Sequence, residues 1–306
     1  MFIYFSSYDN IPLDSKTEQN YTPLHYAIAN NSIEVASYIL LKNPELAVRD
    51  YKEQYDLLYL AINSRSEYLV KLLLEFKFQP ILDDLEKSHF ILAAKKGYFN
   101  ILNLLFQYSS DKRAGEKVII YAIRFKRVSI VDAIIKAGYH IDTLIQGKLP
   151  LHEALSSPAL SLDLIKLIVQ NSDIFDTPFK RTLSTVHYIC KSMNYKAAQI
   201  ILKEPVDVNR LDQEDKPGPY YLRADNVDVA VNILDLLLEK GLDVNLKCKG
   251  IPLILVYTTF IGDYTKIIAW FIKNGADLDN EYNGTTIRWL LKEKYGKSLK
   301  AEGINL

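Results

Sequence analysis

The chain repeats itself with a period close to 33 residues, and that period constrains its fold more than any feature of its composition. Gly241-Leu242-Asp243-Val244-Asn245 returns as Gly275-Ala276-Asp277-Leu278-Asp279, and Val206-Asp207-Val208-Asn209 is a third copy upstream. A second phrase sets the register, since Thr22-Pro23-Leu24-His25-Tyr26-Ala27 and Leu149-Pro150-Leu151-His152-Glu153-Ala154 agree at four of six positions. Its last position can be followed through Ala27, Ala61, Ala93, Ala122, Ala154, Ile189, Ala224, Val256 and Leu290. Units this short cannot bury an apolar face alone, so the chain must gain its core by stacking neighbours.

Each opening phrase is followed by apolar residues at helical spacing, as in Leu69, Leu72 and Leu73, or Ile130, Ala133 and Ile134, or Ile267, Trp270 and Phe271. The pattern predicts a short helix, a turn and a second amphipathic helix in every unit. Small residues at the repeating position let first helices approach closely. Gly138, Gly241 and Gly275 sit where a second helix would end in a left-handed cap.

These phrases resemble the ankyrin repeat, with its Thr-Pro-Leu-His-x-Ala opening and Gly-Ala-Asp-Val-Asn turn. The resemblance runs over roughly residues 20 to 291 and implies an all-α ankyrin-repeat solenoid of about eight helix-turn-helix units plus a terminal cap. Residues 1–19 are expected to be a lead-in, 20–283 the solenoid, and 284–306 a capping helix and tail. The second and third units open with Asp56-Leu57-Leu58-Tyr59-Leu60-Ala61 and Ser88-His89-Phe90-Ile91-Leu92-Ala93, which lack the Thr and Pro. A helix pair is expected there without the family's turn. Asp212 to Pro219 is polar and turn-rich, and reads as an insertion.

The 37 basic and 37 acidic side chains cancel, so net charge recruits neither nucleic acid nor a membrane surface. The run Ile251 to Ile261 is nearly free of charge but far short of a membrane span of about 20 residues. The first residues lack the basic and long apolar regions of a secretory signal. Cys190 and Cys248 stand in different units with no Cys-x-x-Cys, which fits a reducing, cytoplasmic setting.

No residue pattern announces chemistry. His25, His152 and His187 share the fourth position of the opening phrase, a recurrence that fits a structural hydrogen bond at the turn better than catalysis. His89 and His140 have no partner at metal-ligand spacing, so no metal or cofactor is expected. Cys190 and His187, three apart, are the one pair a hidden enzyme could use, and packing is the better reading of Cys190. Asp83-Asp84 and Glu214-Asp215 read as solvated loop carboxylates.

The variable surface is where function is expected. In the ankyrin arrangement, residues just past the repeating position end the first helix and face the concave groove. There the sequence places Arg65, then Lys95 and Lys96, then Arg124, Phe125 and Lys126, and Lys191 in a later unit. These basic groups around an aromatic anchor point to a protein partner with an acidic surface. The expected function is a monomeric, non-enzymatic protein-interaction scaffold. The family and the Lys, Ile, Asn and Tyr richness suggest an effector of an intracellular bacterium acting in a host cytosol, with the recognition subunit of a ubiquitin ligase or similar adaptor as the alternative.

Overall fold

The computed structural model describes residues 12–18, 20–47, 56–81, 88–109, 114–144, 147–157, 160–176 and 183–306. Contacts divide the chain into two compact units, Met1–His140 and Ile141–Leu306. Asp83-Asp84 and most of the lead-in lie outside the described residues.

The first unit stacks four helix pairs. They are α1 (Pro23–Ala29) with α2 (Ile33–Lys42), α3 (Leu57–Asn63) with α4 (Glu67–Glu75), α5 (His89–Lys96) with α6 (Phe99–Tyr108), and α7 (Ala114–Arg124) with α8 (Val128–Lys136). Three of these helices, α3, α4 and α5, start at a residue whose side chain caps them. The Asp56 carboxylate accepts the Tyr59 N–H at 2.8 Å, and the Ser66 and Ser88 hydroxyls accept from Leu69 and Ile91. Between the two helices of a pair the backbone turns through the left-handed region: Asn31 at φ 52°, Arg65 at 58°, Gly97 at 77° and Lys126 at 54°. Ala27, Ala61, Ala93 and Ala122 are all buried where first helices abut, and second helices seal the layer with Ile39, Leu73, Leu105 and Ile134.

The second unit continues the pattern with α9 (Pro150–Ser156) and α10 (Leu162–Asn171), then α11 (Thr185–Ser192) and α12 (Tyr195–Ile201). The next unit replaces its first helix by 3₁₀ turns at Gly218–Tyr221 and Ala224–Asn226, followed by α13 (Val227–Glu239). A four-residue α14 (Leu253–Val256) pairs with α15 (Thr265–Lys273), and α16 (Ile287–Ala301) caps the stack. Short antiparallel hairpins join the last units: β1 (Lys247–Cys248) with β2 (Ile251–Pro252), and β3 (Glu281–Tyr282) with β4 (Thr285–Thr286).

Two readings need correction. Asp212–Pro219 is the equivalent of these hairpins rather than an insertion: Leu211 bridges Pro217, and the Asp212 carboxylate accepts the N–H groups of Glu214 and Lys216 to close the turn. Counting from helix caps also shifts the repeating position in the last three units. Cap Thr22 leads by five residues to Ala27, and Pro217, Pro252 and Thr286 lead in the same way to Leu222, Tyr257 and Leu291. All three are at most 1% exposed, whereas Ala224 and Leu290 are half-buried. Small size does not mark the slot in these units: Leu222 and Leu291 fill it in the seventh and ninth, and Tyr257 in the eighth, its hydroxyl donating to the Pro219 carbonyl at 2.6 Å.

Candidate surface at the first-helix ends

Buried histidines tie together the segments that open the repeats. In the first unit the Thr22 N–H donates to His25 Nδ1 at 3.1 Å, and in the second the Ser184 N–H does the same to His187. With Nδ1 accepting, the proton of His187 sits on Nε2, which donates to the Lys216 carbonyl one unit away at 2.9 Å. His152 donates through Nε2 to Thr185 Oγ1 at 2.7 Å, and that hydroxyl passes its hydrogen to the Phe175 carbonyl. Where a hydroxyl cap is lacking, at Leu149, His152 Nδ1 is buried without a partner. Burial is the largest cause that pushes all three imidazoles down, His25 to about 4 and His152 to about 3.

His89 solves the same problem from another position. It stands where the opening phrase usually has Pro, accepts the Ile81 N–H at 2.8 Å, and donates Nε2–H to the Asp56 carboxylate of the preceding unit at 2.9 Å. That carboxylate is held below its ordinary range by the His89 and backbone hydrogen bonds, against the larger opposing effect of burial.

These bonds also decide the fate of the Cys190 and His187 pair. Both ring nitrogens of His187 are engaged elsewhere, and Cys190 is fully buried with its thiol pushed up by desolvation. A thiol held that way is not an activated nucleophile. No group of His, Cys, Asp and Glu suited to a metal occurs among the described residues, and no described helix is long and apolar enough to cross a membrane.

In the first unit the structure brings Arg65, Lys95, Lys96, Arg124, Phe125 and Lys126 to the exposed ends of α3, α5 and α7. Their cations lie over rings. Arg65 is 5.5 Å from the Tyr98 ring and Lys95 is 5.6 Å from Phe125, each reaching to the next repeat, while Arg124 is 5.5 Å from Tyr121 in its own helix. Phe125 remains 37% exposed beneath its lysine. Arg65 and Lys126 hold the left-handed turn position that Gly97 fills in the third repeat, which aims both side chains off the helix ends. Among the described residues, Arg65, Lys95, Lys96 and Lys126 make no ion pair with a carboxylate. Arg127 differs in kind: Nε and Nη2 donate to the Lys95 carbonyl at 3.0 and 2.8 Å, so it caps α5.

Lys191 lies in the second unit and repeats the device, 5.5 Å from the Tyr221 ring, with its carbonyl accepting from Arg223. The second unit also holds a groove of about 790 Å³ that spacing did not foreshadow. Tyr220, Phe260 and Tyr282 line it with Lys216, Lys249 and Lys294. Its lysines are engaged, Lys216 and Lys249 with Glu214 and Lys294 with the Thr258 carbonyl. The aromatic residues between Tyr220 and Tyr282 could have marked it in the sequence.

Comparison with known proteins agrees with this architecture. An ankyrin-repeat family model matches residues 19–48, the first helix pair. A curated relative, a putative ankyrin repeat protein named L371 of Acanthamoeba polyphaga mimivirus, is 21% identical over 248 residues, 76% of this chain. The match spans 32% of that relative's length. The ankyrin repeat domain of Bcl-3, a member of the IkappaB family, superposes with a TM-score of 0.61 at 17% identity, covering 72% of this chain and 100% of that domain. The human ASB11 ankyrin repeat domain gives 0.56 at 14% identity, covering 73% and 99%. Cap register, helix pairing, the family match at residues 19–48 and the structural likeness agree: the chain carries an ankyrin repeat at its first helix pair and has the fold of ankyrin-repeat domains over most of its length.

Proposed function

We propose that the protein is a non-enzymatic docking scaffold, and that the first-helix ends of its first unit bind an acidic surface of a partner protein. The observation that carries this reading is the row of exposed, carboxylate-free cations at Arg65, Lys95, Lys96 and Lys126 around the half-covered ring of Phe125. A solvated face built only for solubility would mix both signs of charge. This one is basic within a chain of zero net charge. Arg and aromatic side chains are the residue types that dominate binding energy in interfaces.

The test is a combined Lys95→Glu, Lys96→Glu, Arg124→Glu variant used as bait for a cognate partner. All three side chains are exposed, so the fold should persist. Capture should fall at least about tenfold, and wild-type capture should weaken as salt rises. Undiminished, salt-insensitive capture by a folded variant would refute the proposal.

A second reading, action on proteins of a host cell, draws support from the mimivirus relative. It is tested by running the same capture against eukaryotic and bacterial lysates. A partner found only in the bacterial lysate would count against it. Within either reading an adaptor role remains the finer alternative, and it requires the captured partner to belong to a larger complex.

A further inference from the structure

The second unit carries another basic feature on the side formed by its second helices, away from the first-helix ends. Here α10, α12 and α13 enclose a groove of about 670 Å³. The middle helix is the shortest, seven residues between neighbours of ten and thirteen, and its fully buried Ala197 and Ala198 seat it close to the core. Half-buried Leu162, Ile200 and Leu236 supply an apolar floor. The rim carries Lys166, Lys196, Lys203 and Lys240 against a single carboxylate, Glu239. All four lysines are exposed, and none forms an ion pair among the described residues.

We infer that this groove is a second docking site, independent of the first-helix ends, and that its occupant is an acidic amphipathic helix of a partner protein. Charge complementarity sets the sign: four cations and one anion leave a local excess of three positive charges on a neutral chain. Shape sets the class. The apolar residues lie at the bottom of a trough rather than on a protruding tip, so a bilayer cannot reach them without burying the lysine heads. A helix can lay leucines at i, i+3, i+4 and i+7 onto such a floor while its flanking carboxylates meet the rim.

The probe is a fluorescein-labelled peptide of about 15 residues with leucine at those positions and glutamate at most others, titrated with the full chain and read by fluorescence anisotropy. Wild type should bind it in a salt-sensitive manner. A Lys166→Glu, Lys196→Glu, Lys203→Glu variant, shown to be folded by circular dichroism, should lose about tenfold or more in affinity. Replacing the same lysines by Gln should give an intermediate loss. The first-unit variant Lys95→Glu, Lys96→Glu, Arg124→Glu should bind the peptide like wild type, which separates failure here from failure of the proposed function. Three results would overturn the inference: no binding by wild type, equal binding of polyglutamate without leucine, or sedimentation with phosphatidylserine vesicles that the lysine variant abolishes.

Discussion

Acidification from about pH 7 to about pH 5 should destabilise both units, through histidines that the fold keeps neutral. His25 and His152 are at most 1% exposed, and burial sets their pKa values at about 4 and about 3, below the ordinary 6.5. A buried imidazole whose folded pKa lies below its unfolded one contributes stability that is present above pH 6.5 and lost as the pH falls, because the unfolded chain binds the proton first. At about pH 5 the unfolded histidine is almost fully charged and the folded one still neutral, so each site loses about 2 kcal/mol. His187 shifts in the same direction and adds to the loss in the second unit. Burial raises the Asp176 carboxyl, which offsets part of that loss. Asp56 and Asp212, whose carboxyls are held low, lose their contributions only at more acid pH. Urea unfolding followed by far-UV circular dichroism reads the whole chain, while Trp270 and Trp289, its two tryptophans, report the second unit. With a slope of about 2 kcal/mol per M, each site should lower the urea midpoint by about 1 M. Midpoints that coincide at the two pH values, or that fall only below about pH 4, would show that the histidines are not held neutral and would refute the reasoning.

Two substitutions test the packing directly. Ala154 is 3% exposed in α9, so Ala154→Arg drives a charged side chain into the junction with α11 and should cost several kcal/mol, on the order of the larger core substitutions; thermal melting indistinguishable from the parent would disprove the placement. Gly115 in α7 is subtler. Alanine there would gain about 1 kcal/mol of helix propensity, but its Cβ would stand 2.4 Å from the Tyr139 ring, and relieving that overlap costs about 1–3 kcal/mol. Net destabilisation is expected in a chemical unfolding titration. A Gly115→Ala variant more stable than the parent would mean that the ring moves aside freely.

What the sequence could reveal depended on whether an interaction repeats at a fixed spacing. The helix pairs were legible because burial recurs with the repeat, and the histidines because three of them share one position, at which His25 and His187 each accept the N–H of their own cap residue, Thr22 and Ser184. Interactions that join neighbouring units from unequal positions leave none. His89 reaches Asp56 from a proline site, and Arg127 reaches the Lys95 carbonyl from beyond its own helix, so neither pair stands out until the units are stacked. The register error at Tyr257 has the same origin: the slot is defined by distance from a cap, and a large side chain fills it when its hydroxyl finds the Pro219 carbonyl. The two candidate surfaces differ in this respect. The cations at the first-helix ends were found because they follow the repeating position, whereas the lysines of the outer groove come from α10, from α12 and from the residues just past α12 and α13. Only stacking places them around one floor, so the sequence held their charge but not their convergence.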